Sequence, residues 1–217
     1  MQVILDVIAF DLWLIALGLL ILTLFILWRK KRDLWFILCC FIFGVYLLYV
    51  IEKAFFPLYI GGQFANVMRQ QPILLDINII PFYFGPFTTF SGALQGLILN
   101  VILTIPFGFG IHFIVSIKPK HLFMIAIGVG LTIETIQLIL SILLGYAYRV
   151  IDINDSLMNI LGVLIGYFLF RLFAWIYQLA TQHYYIHHNG LSTYIYKMVI
   201  RHQQLANPKI QQPTHPS

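Results

Sequence analysis

The chain is short of charge. Only 10% of its residues are Asp, Glu, Lys or Arg, against about 25% in a typical soluble domain. With a mean hydropathy of +0.89, a water-soluble globular protein is excluded. Acids are scarcer than bases, eight against 13. The resulting charge of +5 does not point to nucleic acid, because the basic residues sit in short loops between apolar runs, where membrane topology puts them. Cysteine is nearly absent. Cys39 and Cys40 are neighbours in an apolar run, would leave a helix in different directions, and make poor disulfide partners. They read as small core residues. A basic stretch ahead of the first apolar run is also missing, since Asp6 and Asp11 stand there instead, so a secretory signal peptide is not expected. Nor is there a Ser/His nucleophile pair, a zinc motif or a phosphate-binding loop. These absences weaken an enzymatic reading, and no cofactor is expected.

What is present is long and apolar. The fold class expected is all-α, a polytopic bundle of about five transmembrane helices. The spans run from about Val3 to Trp28, Leu34 to Ile51, Ser91 to Val115, His121 to Gly145 and Ser156 to Leu179. Between the second and third lies Ala54 to Phe90. Pro57, Gly61-Gly62, Pro72, Pro81 and Pro86 interrupt it, and it suits a loop or short half-helix at the membrane interface. Pro106 is expected to kink the third span. In the tail, Tyr184, His188, Leu191, Ile195 and Met198 recur at helical spacing, with Lys197 and Arg201 nearby. That predicts a helix on the cytoplasmic leaflet, with Asn189-Gly190 as a break point. The Pro/Gln-rich end reads as disordered.

Charge sorting sets the orientation. Arg29-Lys30-Lys31-Arg32 is the densest basic cluster and belongs in the cytoplasm. Five spans then put the N-terminus outside and the C-terminus inside. Ten basic residues fall on the inner side, and Lys53, Arg69 and Arg149 on the outer. The acids lean the other way: Glu52, Asp76, Asp152 and Asp155 fall outside with Asp6 and Asp11, and Asp33 falls inside.

The segment from Gly130 to Gly166 holds the chemistry. Glu134 and Gln137 share one helix face. Asp155, Asn159, Gly162 and Gly166 share another, and Asn100 and Thr104 a third. Glu134 lies about 16 Å by helical rise from the outer end of its span. An ionisable residue at that depth is a functional candidate. Arg149 is the nearest cation and its expected partner, with Asp152 and Asp155 competing. Plain readings stand beside these. Glu134 and Gln137 also suit an inter-helix hydrogen bond, Asp155 suits a cap on the fifth span, Asn78 before Pro81 suits a turn, and Pro106-Phe107-Gly108 suits a kink. Gly162 and Gly166 form a GxxxG pattern that admits a close helix. His183, His187 and His188 have metal-like spacing but no acidic or cysteine partner nearby, so no metal site is expected.

These residues carry a resemblance. Asn78-Ile79-Ile80-Pro81-Phe82 comes first, then Asn100 with Pro106-Phe107-Gly108, then Glu134-x-x-Gln137. Arg149-x-x-Asp152-x-x-Asp155-x-x-x-Asn159-x-x-Gly162-x-x-x-Gly166 follows. In this order the set resembles the VanZ-like membrane proteins, a family named for a teicoplanin resistance protein. The resemblance implies a bacterial protein of the cell membrane and envelope, without supplying a mechanism. It divides the chain into an additional helix and basic loop (1–33), a VanZ-like membrane domain (34–179) and a cytoplasmic tail (180–217).

The candidate ligand-binding residues are Asn78, Asn100, Glu134, Gln137, Arg149, Asp152, Asp155 and Asn159. Placed near the outer leaflet, they suit an amphiphile such as an envelope lipid, a lipid-linked wall precursor or a glycopeptide. The alternative is an intramembrane enzyme with Glu134, Asp152 and Asp155 as acid/base groups. A transporter ranks third, for want of an inverted repeat.

Overall fold

The structure, a computed structural model, describes residues 2–70, 77–84, 89–183 and 190–206. Expectations placed on Pro72, Asp76, Pro86, Tyr184, His187, His188 and the Pro/Gln-rich end lie outside these residues, as does the side chain of His183.

The described chain is an all-α bundle with one two-residue parallel bridge. Its helices are α1 (Gln2–Arg29), α2 (Leu34–Phe55), α3 (Gly62–Met68), α4 (Phe90–Gly110), α5 (Pro119–Leu144), α6 (Ile153–His183) and α7 (Leu191–Ala206). A 3-10 turn, Ile111–Phe113, extends α4. The strands are β1 (Ile77–Asn78) and β2 (Ile151–Asp152). Among the described residues, four helices are long and apolar enough to cross a membrane, and the Leu14–Arg29 part of α1 is a shorter apolar one.

Local sequence sets the helix ends. Asp33 accepts a hydrogen bond from the Trp35 backbone N–H (2.8 Å) and starts α2. Thr89 caps α4 through the Gly92 N–H. Pro119 begins α5, where its missing N–H loses nothing. Gly145 ends α5 at φ 76°, a conformation a side chain would strain. The helix α4 runs unbroken through Pro106. The Tyr46 hydroxyl donates to the Leu103 carbonyl (2.8 Å), next to the Ile102 carbonyl that Pro106 leaves without its helical donor.

The bundle centres on α4 and α6, which run side by side in the same direction. Glycine makes that contact close. A Cβ on Gly166 would stand 2.1 Å from the Ile105 carbonyl oxygen, and one on Gly108 would stand 2.0 Å from that of Val163. The 162/166 pattern therefore packs against α4 inside the chain. Thr104 closes the seam by donating to the Asn159 carbonyl (2.9 Å). On the other side of α6, antiparallel α5 is held by Ser156, whose hydroxyl donates to the Gly130 carbonyl (3.2 Å).

Two features differ from the expectation. The apolar stripe of the tail helix α7 packs on protein. Met198 and Val199 are buried against Phe170 and Ala174 of α6, and the Tyr194 hydroxyl donates to the Phe113 carbonyl. The second difference is depth. The helix α6 starts at Ile153, three residues before the expected Ser156, and it starts deep. The Asp152 N–H donates to the Glu134 carboxylate (3.2 Å). Glu134 lies ten residues, about 15 Å, before the end of α5 at Leu144. The segment from Gly145 to Asp152 therefore turns back along α5 and descends to the level of Glu134. It does not lie on the surface above it.

Candidate functional site

Irregular backbone at membrane depth is tolerated only where protein or a water-filled cavity satisfies its polar groups. Here side chains satisfy them. The strand β2 at the bottom of the returning segment pairs with β1, in register Ile77 with Ile151 and Asn78 with Asp152. Asn78 donates to Asp152 Oδ1 (2.9 Å) and to the Tyr83 carbonyl (2.7 Å). Its own Oδ1 accepts from the Ile80 N–H (3.0 Å). Asn154, 1% exposed, accepts from the Phe82 N–H (2.6 Å) and donates to the Tyr83 carbonyl (3.1 Å). Phe82 has φ 61°, an unfavourable geometry for an aromatic residue, and the Asn154 bond holds it there. Asp152 Oδ1 also accepts from the Asn154 N–H (2.8 Å). Asp152 thus caps α6. The expected cap, Asp155, lies inside the first turn, where the positive end of the helix dipole favours a carboxylate.

The rim is built by residues that sequence reasoning left aside. The segment after α2 and the helix α3 fold over the end of α5, where Ala65, Leu144 and Tyr146 form a small core with Leu58, Met68 and Tyr148. Arg69 donates through Nε to the Leu144 carbonyl (2.9 Å) and through Nη2 to the Ile60 carbonyl (2.8 Å). It closes the C-terminus of α5, where a cation is favoured. The Tyr146 hydroxyl donates to the Tyr59 carbonyl (2.8 Å). Burial raises the Tyr146 hydroxyl pKa, and it pushes that of Tyr148 up to about 12, against the lowering effect of the Arg149 charge. Asn154 and Arg69 carried a signal, a lone polar side chain beside a helix end, but their partners are remote in sequence.

Beside this frame opens a cleft of about 230 Å³ between the end of α2, the middle of α4 and of α5, and the start of α6. Of the eight candidates, Asn100, Gln137, Arg149 and Asp155 line it, with Lys53 and Val150. The Asn100 amide lies beside the Asp155 carboxyl. Gln137 donates to the Ala54 carbonyl (2.9 Å) and ties α5 to the last turn of α2. Asn78, Glu134 and Asp152 hold the adjoining backbone instead. Asn159, 1% exposed, lies in the α4–α6 seam, and its amide has no hydrogen-bond partner among the described residues.

The expected pairing of Arg149 with Glu134 is corrected. Arg149 Nη2 donates to the carbonyls of Lys53 (2.8 Å) and Phe56 (3.2 Å). These carbonyls end α2, where the helix dipole attracts a cation. Among the described residues the ion pair is Lys53 with Glu52, at 3.2 Å. Both Arg149 bonds use one nitrogen, so among the described residues the remaining donors of its fork are available beside the cleft. No group of His, Cys, Asp and Glu among the described residues suits a metal ion.

With this geometry established, the sequence model of one family, described as VanZ/LLP1, matches residues 43–174, more than half of the chain. The chain belongs to the VanZ/LLP1 family. The matched region begins within α2, ends within α6, and contains all eight candidates; α1 and α7 lie outside it. No curated protein and no solved structure matches the chain.

Proposed function

We propose that this member of the VanZ/LLP1 family is a multi-pass protein of the bacterial cell membrane that binds the anionic head of an amphiphilic envelope molecule in the Arg149 cleft. The observation that carries this reading is the fixed guanidinium. Carbonyls of α2 hold Arg149 at the cleft, where Asp155 is the lining carboxylate, and Lys53 beside it is paired with Glu52. A phosphate or carboxylate matches such a fork. The size of the cleft supports a head group, with the tail lying among the surrounding apolar helices. Candidate ligands are a membrane lipid, a lipid-linked wall precursor or a glycopeptide; contribution to teicoplanin-type resistance follows from engaging one of these.

The orientation rests on charge. Arg32, Lys197 and Arg201 surround one cavity at the end of the bundle opposite the Arg149 cleft. The positive-inside rule then makes that end cytoplasmic, and the cleft opens outward. Support for binding over acid–base catalysis comes from Glu134 and Asp152, whose carboxylates serve backbone N–H groups and Asn78.

Lipid mass spectrometry of the purified protein tests the reading. Wild type is expected to co-purify with a defined anionic amphiphile, Arg149→Ala to lose at least tenfold of it, and Glu134→Gln to leave the envelope lipids chemically unchanged. An Arg149→Ala protein that retains the same amphiphile would remove the binding site. A lipid species converted by wild type but not by Glu134→Gln would favour an intramembrane enzyme.

A further inference from the structure

The opposite end of the bundle holds a second, larger cavity of about 400 Å³. It lies between the start of α2, the 3-10 turn after α4, and α7. Three cations line it, Arg32, Lys197 and Arg201, with one carboxylate, Asp33. That carboxylate caps α2 through the Trp35 N–H (2.8 Å). None of the three cations is in an ion pair among the described residues. The Arg32 guanidinium lies 5.9 Å over the Phe36 ring, which leaves its edge donors free. Among the described residues, Arg201 Nη1 has only a long contact, 3.5 Å, to the Ser116 hydroxyl. His112 also lines the cavity; it is 4% exposed, and both of its ring nitrogens lack a partner among the described residues.

From this arrangement we infer a binding site for a phosphate group, separate from the Arg149 cleft. Three positive charges and one negative leave a surplus of two, which a phosphate monoester matches and a diester half matches. Free guanidinium edges are suited to phosphate oxygens, and three cations around one cavity with a single carboxylate repel each other until an anion enters. The place favours a lipid as the source of the phosphate. The cavity sits where the apolar helix α2 begins and α4 ends, at the level expected for lipid head groups, and Phe36, Ile114 and Met198 give it an apolar wall. Basic pockets between membrane helices on this side recognise anionic head groups.

Native mass spectrometry of the full chain in detergent tests the inference, with phosphatidylglycerol and diacylglycerol as probes. Wild type should retain one phosphatidylglycerol and no diacylglycerol. Lys197→Gln/Arg201→Gln should lose retention at least tenfold, and Arg201→Lys should lose clearly less than that, since it keeps the charge and gives up only the paired guanidinium bonds. Hydrogen exchange across 191–206 checks that α7 stays docked. If it does not, Arg32→Gln, on the other wall, replaces the double variant with the same expected loss. Competition by free glycerol phosphate separates the sources. Displacement at equal concentration assigns the site to soluble phosphates, and resistance to displacement assigns it to the lipid. Equal retention by wild type and the neutral variant, equal retention of the two probes, or retention of neither overturns the site.

Discussion

Two groups of polar side chains, one at each end of this bundle, are buried in different ways, although Ser141 and Tyr148 at the Arg149 end also have a side-chain oxygen without a partner among the described residues. At the Arg149 end, Asn78, Glu134, Asp152 and Asn154 are joined to backbone that has left regular structure. At the other end, His112 and His202 sit among rings. His112 stacks on Phe170 at 4.5 Å, and His202 meets the same ring edge-on at 4.9 Å. The two nitrogens of His112 and Nε2 of His202 have no hydrogen-bond partner among the described residues. The difference shows what each group is for. A buried polar atom that holds otherwise unsatisfied backbone is expensive to remove, whereas one without a partner is expensive to keep.

Substitution should expose this contrast. The largest effect is expected from Asn154→Ala, which strips an acceptor from the Phe82 N–H and a donor from the Tyr83 carbonyl. A loss of about 2–3 kcal/mol is expected, read as a lower unfolding midpoint in detergent. No change would mean that the returning segment is held by something else. Next comes the pair Glu134→Ala and Glu134→Gln. The first removes the acceptor of the Asp152 N–H and should destabilise by about 1–2 kcal/mol. The second keeps an acceptor and should lose less than half as much. Equal losses would show that charge, not hydrogen bonding, holds the site.

The other end supplies the smallest and opposite effect. Burial first, then the Arg171 charge, lowers His202 to about 4 from the usual 6.5. Its neighbours on the packed elements include the second histidine, His112. A depressed histidine leaves stability intact above its unfolded pKa and loses it as pH falls through the folded value. Docking of α7 should therefore weaken between about pH 6.5 and 4, seen as faster exchange across 191–206 after correction for intrinsic rates. His202→Phe should reduce that dependence, leaving the part that the neighbouring His112 contributes. At neutral pH it should be stable to within about 1 kcal/mol of wild type or better, because no bond is broken. A loss as large as that of Asn154→Ala would erase the distinction between the ends.

The sequence made some of this legible. Long apolar runs located the helices, because backbone in lipid must satisfy itself and helices do so within one segment. The glycines at 162 and 166 marked a close seam, and α4 fills it with Gly108 and Thr104. The descent of the charged turn was not legible. Its polar composition suggests a surface, and only the pairing of Asn78 with Asp152, 74 residues apart, brings it down. The partner of Arg149 was hidden for a related reason. Counting charges pointed to Glu134, but the carbonyls ending α2 have no signature in side-chain identity. For α7 the apolar stripe was plain, and whether it faced lipid or protein depended on Phe170 and Ala174 of a different helix.

The central claim is that the turn carrying Arg149 lines a wet, outward-opening cleft recessed below the tips of its neighbours. Val150 lines that cleft and is 56% exposed. A single cysteine there, with Cys39 and Cys40 replaced by serine, reports its access to water. Treated in intact cells with a charged, membrane-impermeant maleimide, Val150→Cys should be labelled, more slowly than a cysteine placed at Val67 on the rim helix α3, which is 54% exposed. Labelling only after the membrane is opened, or none even then, would contradict the account.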